Sequence, residues 1–361
     1  MASACVRLRP LSAALLGLTL TAGIAGPLPA QAAVPGMTSV ASQTATAATS
    51  TVPLRAAAPR PAKGLSMQKL IEYWGANARG INSEFADMQA AGATWARVSL
   101  PYGAAGAAGM SRVVSAARAH HVRLVVVLGK PGNQKDIGTA ANRAAYRSWV
   151  TSTVRRFKAG VKYWEVLNEP NLRSSWAIDN RPGSNQVVYA AAVRRYVTLL
   201  ADGYRSIKAA DRTAVVLFGG LSESTVERYL AVLTTTSAWR YFDVMSFHPF
   251  GRTPALVAAR YASFSKRLHA RPSFARKPIW VTEIGYNTSW TNKGGYVPNE
   301  ALKARYLTDS MRRLYAATRR PVLWHTLHGA NPAATGYGLE TKNKATLKVR
   351  RLPAFTAFRA L

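Results

Sequence analysis

From about residue 64 onward the chain repeats one pattern: a short run of apolar and β-branched residues, then a longer stretch in which apolar residues recur at helical spacing. Several of the short runs are apolar almost throughout, as in "RLVVVLG" at 123–129 and "AVVLFGG" at 214–220. A strand with apolar side chains on both faces needs cover on both, which is the condition of a parallel sheet whose crossovers are helices. Strands are predicted at 71–74, 95–100, 123–128, 163–167, 214–218, 242–247, 279–282 and 322–326. Helices are predicted at 83–91, 111–120, 140–158, 187–209, 224–233, 254–269, 299–317 and 353–361. Eight strands alternating with eight helices fit an α/β protein of the closed (β/α)8 TIM-barrel type better than an open doubly wound sheet.

The barrel is expected to begin at residue 64, preceded by two segments of different character. Arg7 and Arg9 stand before an apolar run from residue 11 to residue 26, and Ala30-Gln31-Ala32 follows as a small-x-small cleavage pattern. Residues 1–32 therefore read as a secretion signal, too short and glycine-interrupted for a membrane span, and the product as secreted and soluble. Residues 33–63 are rich in Ala, Thr, Ser and Pro and carry too little apolar bulk to offset chain entropy, so they read as a disordered spacer. The single cysteine, Cys5, lies in the signal, which leaves the mature chain without a disulfide, a thiolate metal site or a cysteine nucleophile.

In a barrel of parallel strands, function is built at the C-terminal ends of the strands. Those ends carry Arg97 in "TWARVSL", Asn168 and Glu169 in "YWEVLNEPN", His248 in "DVMSFHPF", Glu283 and Tyr286 in "IWVTEIGY", and Trp324, His325 and His328 in "VLWHTLH". Two carboxylates, Glu169 and Glu283, each directly follow an apolar strand. Cleavage of a glycosidic bond needs such a pair, one carboxyl protonated to assist the leaving oxygen and one ionised to attack the anomeric carbon or activate water.

The "NEP" at 168–170 and the "TEIG" at 282–285, each at a strand end, resemble the retaining clan A glycoside hydrolases, and "GG" at 219–220 with the closing "GLE…LPAFTAF" is most similar to the family 39 type, with family 5 next. The resemblance spans residues 64–361. It implies a (β/α)8 barrel without cofactor or metal. In that reading Glu169 is the acid/base, Glu283 the nucleophile, Asn168 the partner of a sugar 2-hydroxyl, Arg97 the donor that keeps the nucleophile ionised and Trp324 a platform under the sugar. His248 and Tyr286 are assigned to substrate binding. Retaining chemistry implies carboxyls about 5–5.5 Å apart. One departure stands out: the family has His-x-Tyr ending the sixth strand, with the tyrosine bonded to the nucleophile, whereas this chain has His248-Pro249-Phe250. Tyr286 or Tyr296 is the candidate replacement.

Other signals are weaker. Trp164 and Trp280 are read as core, while Trp74, Trp176 and Trp290 are candidate cleft linings. "GKPGNQK" at 129–135 lacks phosphate-loop spacing, and no HExxH accompanies the histidines. The net charge is +32, or +30 without residues 1–32, which favours anionic partners. The basic residues are scattered over helices rather than interleaved with aromatics, so no nucleic-acid partner is expected, and the partner is taken to be a β-linked glycan, anionic itself or coating an anionic surface. The rival readings are a glycan-binding barrel without chemistry, prompted by Phe250, and a basic polyanion- or envelope-binding protein. Oligomeric state is not legible.

Overall fold

The computed structural model describes residues 62–130, 138–176, 178, 179, 181, 183–289, 295–328 and 335–361. The signal, nearly all of the spacer, Trp290 and most of the 129–135 loop lie outside the described residues.

The barrel strands are β1 (Lys63–Ser66), β2 (Trp95–Leu100), β3 (Arg123–Leu128), β4 (Tyr163–Val166), β5 (Val215–Phe218), β6 (Leu221–Ser222), β7 (Met245–His248), β8 (Ile279–Ile284) and β9 (Val322–Trp324). All pair in parallel, in the order β5-β4-β3-β2-β1-β9-β8-β7-β6. β5 and β6 are two pieces of one strand, broken at Gly219 and Gly220. A parallel bridge between Leu217 and Val244, with Phe218 N–H donating to Val244 C=O at 2.9 Å, joins β5 to β7 and returns the sheet on itself. The result is the (β/α)8 barrel expected from the alternation.

The outer helices are α1 (Leu70–Trp74), α2 (Ala78–Ala90), α3 (Ala107–Ala119), α4 (Ala140–Phe157), α5 (Arg173–Trp176), α6 (Gln186–Ala210), α7 (Val226–Leu233), α8 (Pro254–His269), α9 (Glu300–Thr318) and α10 (Pro353–Arg359). A small antiparallel pair, β10 (Glu340–Lys342) with β11 (Val349–Arg351), precedes α10. Five helices start where a side-chain oxygen of Asn77, Thr139, Asn185, Thr253 or Asn299 accepts a first-turn N–H, so local chemistry sets these boundaries.

One predicted element is corrected. Residues 71–74 are not the first strand but part of α1, and β1 lies at Lys63–Ser66, beginning at the last residue assigned to the spacer. Burial of Leu70, Ile71 and Trp74 follows helical spacing, which the short run disguised. Lys-Gly-Leu-Ser has little strand propensity of its own; it is a strand because β2 and β9 flank it. Gly64 is required there, since a Cβ would come within 2.6 Å of the Trp95 Cβ. Among the described residues no helix is long and apolar enough to cross a membrane.

Candidate active site

Successive side chains on a strand alternate between the barrel interior and the helices, so the interior is built in layers. Toward the N-terminal end, Trp95, Tyr163 and Trp280 meet with centroids 4.8–5.4 Å apart, and Val125, Leu217 and Val244 complete an apolar floor. Two residues further along the same strands stand Arg97, Glu165 and Thr282, all buried. A polar layer thus rests on an aromatic one, and burial of its charges is tolerable only through pairing.

Arg97 makes that pairing. Its Nε and Nη2 each donate to a Glu165 oxygen at 2.7 Å, Nη2 also donates to Asn168 Oδ1 at 2.7 Å, and Nη1 donates to Glu283 Oε1. Glu165 accepts a further hydrogen bond from Gly220 N–H at 2.7 Å. Burial opposes the charge on Arg97, but Glu165 and Glu283 outweigh it and raise its pKa further, so it is a permanent cation.

Glu283 is the next-to-last residue of β8 and sits at an irregularity, where the register with β9 shifts between Val281 and Ile284. Such a bulge re-aims side chains, and here Thr282 and Glu283 both reach into the interior. Besides Arg97, Glu283 Oε1 accepts from Ser66 Oγ at 3.1 Å and from Gln68 Nε2, while His325 Nδ1 and His248 Nδ1 lie 3.8 and 4.0 Å from Oε2. Burial would push this carboxyl up; His248, Arg97 and His325, with the Gln68 hydrogen bond, outweigh it and hold the pKa at about 2.

Glu169 follows β4 on a backbone that turns left-handed at Leu167 (φ 68°) and again at Glu169 itself (φ 46°). Non-glycine residues in this region cost on the order of 1 kcal/mol or more, so the turn is held by its surroundings. Asn171 supplies part of the hold: its side chain donates to Ser222 O and Ser224 O at 2.8 and 2.7 Å and accepts from Ser222 N–H at 3.1 Å. Glu169 Oε1 then lies 3.0 Å from His248 Nδ1, and His248 Nε2 lies 3.0 Å from Thr282 Oγ1. A Cβ on Gly220 would collide with the His248 ring, which explains why the strand break carries glycine.

Asn168, Glu169, Arg97, His248 and Glu283 therefore converge. Two other predicted residues do not join them. Tyr286 is fully buried, its hydroxyl 2.7 Å from Ser310 Oγ and its ring against Tyr306 and Trp324, so it neither bonds Glu283 nor faces the site. Trp324 is also fully buried, donating its indole N–H to Tyr337 O at 3.1 Å, and offers no ring face to a sugar. Strand alternation is the reason: Trp324 turns outward, and the next residue, His325, faces Glu283. Trp74 and Trp176 are likewise core, with indole N–H groups donating to Glu84 and to Ala192 O. Trp164 and Trp280 are buried as read, and His328 pairs with Glu84 at 2.7 Å. Tyr296 contributes a backbone bridge to Asn287. Among the described residues the donors to Glu283 are Ser66 on β1, Gln68 just after it and Arg97 on β2, and no tyrosine is among them.

Ser66, Gln68 and Glu165 were not singled out in the sequence. Glu165 carried a signal: a carboxylate inside an apolar parallel strand needs a buried cation. Ser66 and Gln68 carried none, because the strand that places them was misread. Around the mouth, the rings of Phe250, His325 and Tyr337 stand 5.2–6.4 Å apart. Glu223, just after β6, adds a third carboxylate, which burial pushes up in pKa and which lies 3.4 Å from Arg260.

No protein-family model matches the chain, and no curated protein matches it in sequence. Its structure is similar to that of the virulence factor SghA from Agrobacterium tumefaciens, with a TM-score of 0.61, 10% identity and coverage of 83% of this chain and 96% of that one. It is also similar to the β-glycosidase BGL167 (TM-score 0.60, 12% identity, 82% and 94% covered) and to a family 1 β-glucosidase from Thermotoga maritima (0.60, 12%, 83% and 97%). At these identities the likeness establishes the barrel fold.

Proposed function

We propose that the protein is an exported retaining glycoside hydrolase acting on a β-linked glycan, with Glu283 as nucleophile and Glu169 as acid/base. One observation carries the reading: both carboxylates face a single imidazole nitrogen. Glu169 Oε1 and Glu283 Oε2 lie 3.0 and 4.0 Å from His248 Nδ1, so laid end to end these distances put the two oxygens at most about 7 Å apart. The retaining separation of about 5–5.5 Å lies within that bound, as does only the shortest end of the inverting range of about 6.5–9.5 Å. The environments also differ. Glu283 is buried among cations and donors that favour its charged form, while Glu169 is 18% exposed at the mouth.

In the first step Glu283 attacks the anomeric carbon as Glu169 gives its proton to the departing oxygen. In the second, Glu169 takes a proton from water, whose oxygen displaces Glu283 and regenerates both groups. Arg97 is fully engaged with Glu165, Asn168 and Glu283, so it holds the nucleophile rather than a substrate acid group.

The test is product release from a panel of β-glycosides and β-glycans. Salicin is the first member, since the structurally similar SghA was solved with it as substrate analog. Glu169→Gln and Glu283→Gln are each expected to lose turnover by at least about 10²–10⁴-fold. A 2-fluoroglycoside should add its glycosyl mass to the peptide bearing Glu283. A folded protein that binds glycan, turns over none of the panel and never takes the label would instead be the non-catalytic barrel.

A further inference from the structure

The connections running from a helix back to the next strand lie on the barrel face opposite the carboxylate pair. This face gathers positive charge loop by loop. Arg123 opens β3, Lys158 precedes β4, Arg212 precedes β5, Arg240 precedes β7, Arg276 precedes β8 and Arg320 precedes β9, and all six are exposed. Of the 16 acidic residues, those within these connections are Asp211 and Asp243, and each is ion-paired at 2.8 Å, with Lys162 and Lys208.

Cations at helix C-termini complement the helix dipole, which is the plainest account of such residues. That account predicts acids at the opposite ends; α1, α7 and α9 carry one each, but α2, α3, α4, α6 and α8 have none in their first turns. The ring is therefore an accumulation of one sign on one face, where mutual repulsion favours a bound polyanion. A recess of about 700 Å³ opens within it, lined among others by His121, Arg123 and Arg359, with the Arg123 guanidinium 5.4 Å over the Trp95 ring. That volume falls in the range of small-ligand sites.

We propose that the N-terminal face of the barrel docks an anionic polysaccharide, one acidic sugar seated in the recess and its neighbours along the cationic ring. The choice of a polysaccharide rests on the glycosidase reading. A DNA duplex would use the ring but not the recess.

Heparin serves as the sulfated-glycan probe and a short DNA duplex as the competitor, with the full chain titrated at several salt concentrations. Replacing Arg123, Arg212 and Arg276 with Gln should weaken heparin binding at least tenfold and flatten its salt dependence. Replacing Arg112, Arg194 and Arg305, exposed on helix flanks, should weaken it less than twofold. Arg123→Gln alone should affect heparin more than DNA. Equal losses in the two triple variants would overturn the face, and a duplex bound more tightly than heparin would overturn the partner. Turnover of a small β-glycoside, measured alongside, should be unchanged in both triples. Turnover without heparin preference sinks this proposal alone, whereas absent turnover bears on the proposed activity.

Discussion

Arg97 and Glu165 are joined by two hydrogen bonds of 2.7 Å, Nε to Oε2 and Nη2 to Oε1, and neither side chain is exposed. The fork fixes the guanidinium plane, which leaves Nη1 aimed at Glu283 and the second face of Nη2 at Asn168. A carboxylate on β4, four residues before Glu169, thus determines where the permanent cation beside Glu283 stands. Lysine has no equivalent geometry, since its ammonium is a point charge without a planar fork.

Glu165→Gln should lower stability by about 3–5 kcal/mol, because removing one partner of a buried pair leaves the other uncompensated. Arg97→Lys keeps the charge and loses the fork, so its effect should fall mainly on kcat. Urea midpoints for the first variant and kcat for the second check the two parts. An unchanged midpoint in Glu165→Gln would mean that the pair does not hold the layer together.

The lowered pKa of Glu283 has a kinetic consequence. With the folded value at about 2 Glu283, the proposed nucleophile, stays ionised through pH 4, and it is neutralised only as pH falls toward 2. The same shift contributes stability that is full above the ordinary carboxyl value and is lost as pH falls through the folded one. The acid limb of kcat/KM should therefore lie below pH 4 in the wild type. Gln68→Leu removes a donor and should move that limb upward, as should Arg97→Met by a larger step. Short pH-jump assays read the limb before acid unfolding intervenes.

The barrel was legible because burial on both strand faces leaves a period-free apolar signature, and four pieces of the site were legible because they directly follow such strands. Ser66 and Gln68 were hidden: β1 is a strand through its neighbours' hydrogen bonds, and Lys-Gly-Leu-Ser advertises nothing. Trp324 and Tyr286 were misplaced for a different reason. Position at a strand end does not say which face a residue takes, and one step of alternation or one bulge exchanges His325 for Trp324 at the site.

Tyr286→Phe tests that correction. Its hydroxyl meets Ser310 in the core, so the variant should cost about 1 kcal/mol of stability and leave kcat/KM within about twofold. His325→Ala, at the mouth and 3.8 Å from Glu283, should instead change kcat/KM while leaving the urea midpoint nearly unmoved. The opposite pattern would restore Tyr286 to the site.

Glu340 on β10 is fully buried, and neither carboxyl oxygen has a hydrogen-bond partner among the described residues. Burial, reinforced by Asp87 and Glu84 against the pull of Lys342 and Arg351, pushes its pKa up to about 8. The folded chain then keeps this proton between pH 4.5 and 8 while the unfolded chain releases it, so stability declines across that window by up to about 1.4 kcal/mol per pH unit. Above pH 8 both states are ionised and the decline stops. Glu340→Gln removes the titration and should raise the urea midpoint at pH 8 more than at pH 5, with the wild-type slope between them flattened. Equal midpoint shifts at the two pH values would mean that Glu340 is ionised in the folded state and that some cation, rather than a proton, balances it.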